Sequence, residues 1–143
     1  MWLAFASGIA LASAGTAYTG GSPKATHEMQ IYLYLRPHHR AEWRVDIEGP
    51  CSKGSKMGRS IGTDVSIREP VLHLRHGRFM LHRSHTVETG GIHYWYTLRG
   101  HRVGAGFAGT LRYVEQDDIY SPNPETCDST LLHWTAHRGG VFP

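Results

Sequence analysis

Histidine is the residue type in this chain that most demands a chemical explanation. It occurs 11 times in 143 residues, and four copies fall close together as H-x2-H-x5-H-x2-H: His73, His76, His82 and His85. Imidazole nitrogens at such spacing are common zinc ligands. On a strand, however, positions three apart point to opposite faces, and the surrounding pattern is that of a strand. Only His73 and His82 then share a face, as a diagonal cross-strand pair. His76 falls at a turn and His85 beyond the strand end. Two imidazoles without a third ligand make a weak metal site, so the expectation is no cofactor. A His73–His82 zinc site, with or without hydrolase chemistry, stands as the alternative.

The same segment offers a different chemistry. Val71 to Arg83 reads as a hairpin turning at His76-Gly77, which pairs Arg75 with Arg78 and Leu74 with Phe79. One face carries Leu72, Leu74, Phe79 and Leu81. The other carries Val71, His73, Arg75, Arg78, Met80 and His82. Trp95, with His93 and Arg99, extends that basic face if its strand lies alongside. Guanidinium groups next to an exposed aromatic suit a sulfated or uronic-acid glycan, a phosphate polymer or an anionic protein surface. The ligand-binding residues expected are therefore His73, Arg75, Arg78, His82 and Trp95.

Support for catalysis is slight. There is no Gly-x-Ser-x-Gly elbow, no His-Glu-x-x-His and no P-loop. Glu115, Asp117, Asp118 and Glu125 read as an acidic loop that fits no EF-hand spacing. Lys plus Arg exceed Asp plus Glu by only 15 to 12, too mild a balance for a nucleic-acid-binding tail. Mild acidification would raise the net charge steeply, because histidine titrates near neutrality.

The elements that position these residues are strands. Apolar residues make up 40% of the chain and charged residues 19%, a globular composition. Alternation with period two recurs in Ile31–Leu35, Glu42–Glu48, Ile92–Arg99 and Leu132–His137. Gly100 reads as a turn leading into a long strand over Val103–Tyr113, with Gly104, Gly106 and Gly109 as strand glycines. Seven or eight strands and no helix predict an all-β, antiparallel, jelly-roll-like β-sandwich, with uneven strand lengths arguing against a barrel.

Met1–Ala14 is apolar, uncharged and ends in small residues, the features of a signal peptide cut after Ala14 or Ala17. It is too short to span a membrane. No basic residue precedes the apolar run, as if the true start lay upstream. The division expected is a signal peptide over residues 1–17, a flexible leader over 18–26 and one domain over 27–143. Export makes a Cys51–Cys127 disulfide the natural reading of the two cysteines. Such a bridge closes about 76 residues and would contribute roughly 4–5 kcal/mol on the chain-entropy account. Self-association through edge strands and the leader, as a subunit of an extracellular assembly, is a third role the sequence allows.

Three segments carry a resemblance. Gly109-Thr110-Leu111-Arg112, then Cys127-Asp128-Ser129, then Trp134-Thr135-Ala136-His137-Arg138 resemble the C-terminal pattern of small secreted bacterial proteins, frequent in actinobacteria. Gly77-Arg78-Phe79 also fits, and Thr130 departs from the pattern at a position where glycine is common. The resemblance covers about residues 70–138. It implies a β-sandwich and export, and no particular chemistry.

Overall fold

The computed structural model describes residues 15–22, 28–50, 53–54, 60–117 and 119–140. Among them there are ten strands, one 3-10 turn (Glu88–Gly90) and no α-helix. The strands are β1 (Thr16–Gly21), β2 (Glu28–Arg36), β3 (Arg40–Pro50), the two-residue β4 (Lys53–Gly54), β5 (Ser60–His73), β6 (Arg78–Val87), β7 (Ile92–Val103), β8 (Gly106–Asp117), β9 (Glu125–Asp128) and β10 (Leu132–Arg138). They pair antiparallel in the order β6-β7-β8-β10-β1-β2-β3-β5, with β9 beside the second half of β8 and β4 on β9. The fold is all-β as expected, but it is one sheet nearly closed into a barrel rather than a jelly-roll sandwich.

The difference comes from β1. Without it, β2-β3-β5 and β6-β7-β8-β10 are two separate sheets, and a sandwich follows. β1 pairs with β2 from Thr16↔Leu35 to Gly21↔Gln30 and with β10 from Tyr18↔Arg138 to Gly21↔Thr135, joining the halves. Tyr18 is buried and packs edge-on against Phe107, with ring centroids 5.1 Å apart. The segment expected as a leader over 18–26 therefore begins inside the sheet, and the domain starts before residue 27. Uneven strand lengths are accommodated because the short β9 and β10 share one edge of the twelve-residue β8.

The barrel's remaining gap lies between β5 and β6, and it explains a second correction. The His76-Gly77 turn forms as the sequence predicts. Arg75 and Arg78 exchange both backbone hydrogen bonds, at 2.8 and 3.0 Å, and φ is +51° at His76 and +71° at Gly77, the positive pair that a tight two-residue hairpin requires. Beyond that pair the strands separate. The Leu74 N–H donates to the His39 carbonyl at 2.8 Å instead of pairing with Phe79. β5 continues onto β3 and β6 onto β7. The two faces predicted for the hairpin nevertheless hold: Leu72, Leu74, Phe79 and Leu81 are buried, while His73, Arg75, Arg78, Met80 and His82 are exposed.

Gly100 is not a turn. It sits within β7, between Phe79 and Gly109, and the chain reverses at Gly104-Ala105. A Cβ at Gly100 would collide with the Phe79 ring and lie 2.9 Å from Trp134 Cη2. The glycine there makes room inside the barrel. Fully buried Trp43, Trp134, Tyr96, Tyr113 and Phe107 fill that interior together with Ile31, Leu33, Ile47, Leu98 and Leu111.

The segment after β9 is pinned by side chains. The Arg112 guanidinium donates to Asp128 through Nη2 to Oδ2 at 2.7 Å and Nε to Oδ1 at 3.3 Å. This contact raises the arginine pKa. Asp128 Oδ1 also accepts the Thr130 N–H at 2.8 Å, and Ser129 Oγ accepts the Tyr113 N–H at 3.0 Å. Thr130 has φ +59°, a left-handed conformation that costs a β-branched residue strain and a glycine none. This gives a physical reason for glycine to be favoured at that position.

Candidate anion-binding groove

The outward side chains of β6 and β7 alternate in register, with Arg78 opposite His101, Met80 opposite Arg99, His82 opposite Thr97 and Ser84 opposite Trp95. His73 and Arg75 reach the same face from the end of β5 and the turn. Together His73, Arg75, Arg78, Met80, Arg99 and His101 line an open groove of about 570 Å³, floored by Phe79 and Gly100. None of its lining residues is acidic. A second, smaller groove of about 430 Å³ shares Arg99 and His101 and runs across β8 to His133 and Thr135 on β10.

Of the residues the sequence picks out, His73, Arg75 and Arg78 meet in this groove. His82 and Trp95 lie on the same outer face but farther along the strands, outside its lining. His82 Nδ1 lies 2.8 Å from Thr97 Oγ1, and Trp95 is half-buried with its ring 5.7 Å from that of His93. Arg99 joins as expected from its neighbouring strand. His101 was missed because Gly100 reads as a turn. Continuing the alternation through 95, 97 and 99 to 101 would have found it.

The zinc alternative loses its geometry. His73 pairs with Arg40 on β3 while His82 sits mid-way along β6, so the diagonal pair does not form. Among the described residues no group of three or more His, Cys, Asp or Glu is arranged to hold a metal ion. The acidic loop also changes character. Glu115, Gln116 and Asp117 belong to β8, and Glu115 turns into the barrel, where it accepts the Tyr113 hydroxyl at 3.0 Å. Burial, reinforced by that carboxylate, pushes the Tyr113 phenol up.

Cys127 is buried on β9, and Cys51 lies outside the described residues. No helix among the described residues is long and apolar enough to cross a membrane. Comparison with protein-family models, with curated proteins and with solved structures found no match.

Proposed function

We propose that this protein is a non-catalytic binding module whose basic groove takes an anionic polymer, a sulfated or uronic-acid glycan or a phosphate polymer of a cell surface. The observation that carries this reading is the convergence of His73, Arg75, Arg78, Arg99 and His101 from β5, β6 and β7 on one open groove with no carboxylate among its described lining residues. A charged arginine fork recognises sulfate, phosphate or carboxylate by paired hydrogen bonds. An open groove admits a chain rather than enclosing a small molecule. The test is the Arg75→Glu/Arg78→Glu double variant. Its affinity for an immobilised sulfated oligosaccharide should fall at least about tenfold, because each guanidinium lost from a polyanion site weakens binding and its salt dependence. Both side chains are exposed, so the thermal midpoint should hold. Unchanged binding by the folded variant would overturn the reading.

The same proposal places the protein outside the cytoplasm, with a Cys51–Cys127 bridge. The pairing of Lys53, two residues after Cys51 in sequence, with Asp128, next to Cys127, supports that bridge. Of the two cleavage sites, the one after Ala14 fits the fold. Gly15 donates its N–H to the Tyr34 hydroxyl at 2.9 Å, and Thr16 and Ala17 pair with Leu35 and Tyr34. Cleavage after Ala17 would strip those contacts from β1. The intact mass of the secreted protein should match a chain starting at Gly15 and lacking two hydrogens. An untrimmed mass or two free thiols would refute export with a bridge.

A further inference from the structure

The groove is one side of a larger feature. We propose that the whole barrel end containing it is a pH-gated site for a linear polyanion, whose affinity rises as its histidines take up protons. The proposal rests on the groove reading and adds both its extent and its regulation. Antiparallel order brings four places to this end: the β2–β3 turn, the β5–β6 turn, the β7–β8 turn and the end of β10. Six of the 11 histidines gather there: His38 and His39, His73 and His76, His101, and His137. All six are exposed. Seven of the chain's 12 arginines lie there too, so the histidines stand among fixed positive charges.

Arginine stands beside each of these histidines. His38 and His39 lie between Arg36 and Arg40, His73 and His76 flank Arg75, His101 lies between Arg99 and Arg102 opposite Arg78, and His137 precedes Arg138 beside Tyr18 of β1. Arg36 and Arg102 lie over the Tyr34 and Phe107 rings. Among the described side chains the carboxylate nearby is Glu42, which holds Arg36 at 2.6 Å. A polyanion laid across this end favours the charged form of an imidazole beneath it, so binding takes up protons and tightens as pH falls. Asp117 and Glu125 sit at the opposite end of the barrel. The ligand class is a linear polymer of sulfate or phosphate groups, long enough to cross several turns.

Binding of a fully sulfated oligosaccharide, whose charge is constant over the range, should be measured at pH 7.5 and 5.5 at fixed ionic strength. At least about tenfold tightening at pH 5.5 is expected, which corresponds to an average uptake of about half a proton per bound ligand across the range. In a second variant, His38→Asn/His39→Asn/His76→Asn, at least half of that tightening on a logarithmic scale should disappear, whatever its affinity at pH 7.5, while its thermal midpoint matches the parent's because all three side chains are exposed. Asparagine suits these positions because φ is +65°, +57° and +51°, and asparagine tolerates the left-handed region. Equal affinity at the two pH values, or full pH dependence in the triple variant, overturns the inference and leaves the groove reading standing. No binding at either pH overturns both. Inorganic polyphosphate run in parallel identifies the source of the anionic groups, since tightening with either ligand supports the proposal.

Discussion

Replacing Trp134 by alanine lowers the stability of the barrel by about 3–5 kcal/mol, the range for deleting a large buried ring. Trp134 is 1% exposed and stacks on Phe79 at 6.2 Å, over the glycines at 100 and 109. The residues beneath the ring, Gly100 and Gly109, have no side chain with which to fill the space. Such a loss is a large share of the roughly 5–15 kcal/mol that holds a typical domain folded. In thermal unfolding it corresponds to a fall of roughly 10–20 °C. The Trp134 Nε1–H is buried without a hydrogen-bond partner. Trp134→Phe therefore keeps much of the packing and removes an unsatisfied donor, and should cost only about 1 kcal/mol. Similar midpoints for the alanine variant and the parent would show that the interior is not organised around this ring.

The second large effect has the opposite steric sense. Gly109→Ala adds one methyl group to a strand, a change that often stabilises by restricting the unfolded chain. Here it should destabilise by about 3 kcal/mol, the upper range for overpacking. A Cβ at residue 109 would run into the Arg99 carbonyl oxygen and stand 2.5 Å from Trp134 Cζ2. The carbonyl is backbone across a hydrogen-bonded pair of strands, so it cannot swing aside. Gly90→Ala is the internal control. Its nearest neighbour would be Ile92 Cδ1 at 3.4 Å, an ordinary contact, and its stability should match the parent's. Denaturant midpoints of the two variants decide the matter: a Gly109 variant as stable as the Gly90 variant would contradict the packing described.

The strands with a clear apolar alternation were legible because burial on one face writes a period of two into the sequence. Trp43, Val45 and Ile47 are buried, and so are Leu132, Trp134 and Ala136. β1 was not legible. Thr16–Gly21 contains one large apolar side chain and two glycines, and its place is fixed by backbone pairing on both edges rather than by a hydrophobic stripe. Overlooking it turned a barrel into a sandwich. Gly100 misled for a related reason, since a glycine that turns the chain and a glycine that makes room for two rings look alike in one dimension. At the site, His73, Arg75 and Arg78 were found together because a tight turn keeps them neighbours in sequence as well as in space. His101 and the β2–β3 histidines join them only through strand order, to which local pattern gives no access.

The position of β1 also has a consequence for the order of events in synthesis. Its partners are β2, which follows directly, and β10, the last strand of the sheet. One of the earliest segments to be made must therefore wait for one of the latest. A chain still being elongated offers β1 a single neighbour and leaves its other edge, and Tyr18, without a place. The closing contacts are among the longest in sequence that the chain can make, which slows their formation. Completion of the barrel thus waits until β10 has been made. A chain that folds only after crossing a membrane would lose nothing by this arrangement, because the barrel cannot close until both β1 and β10 are present.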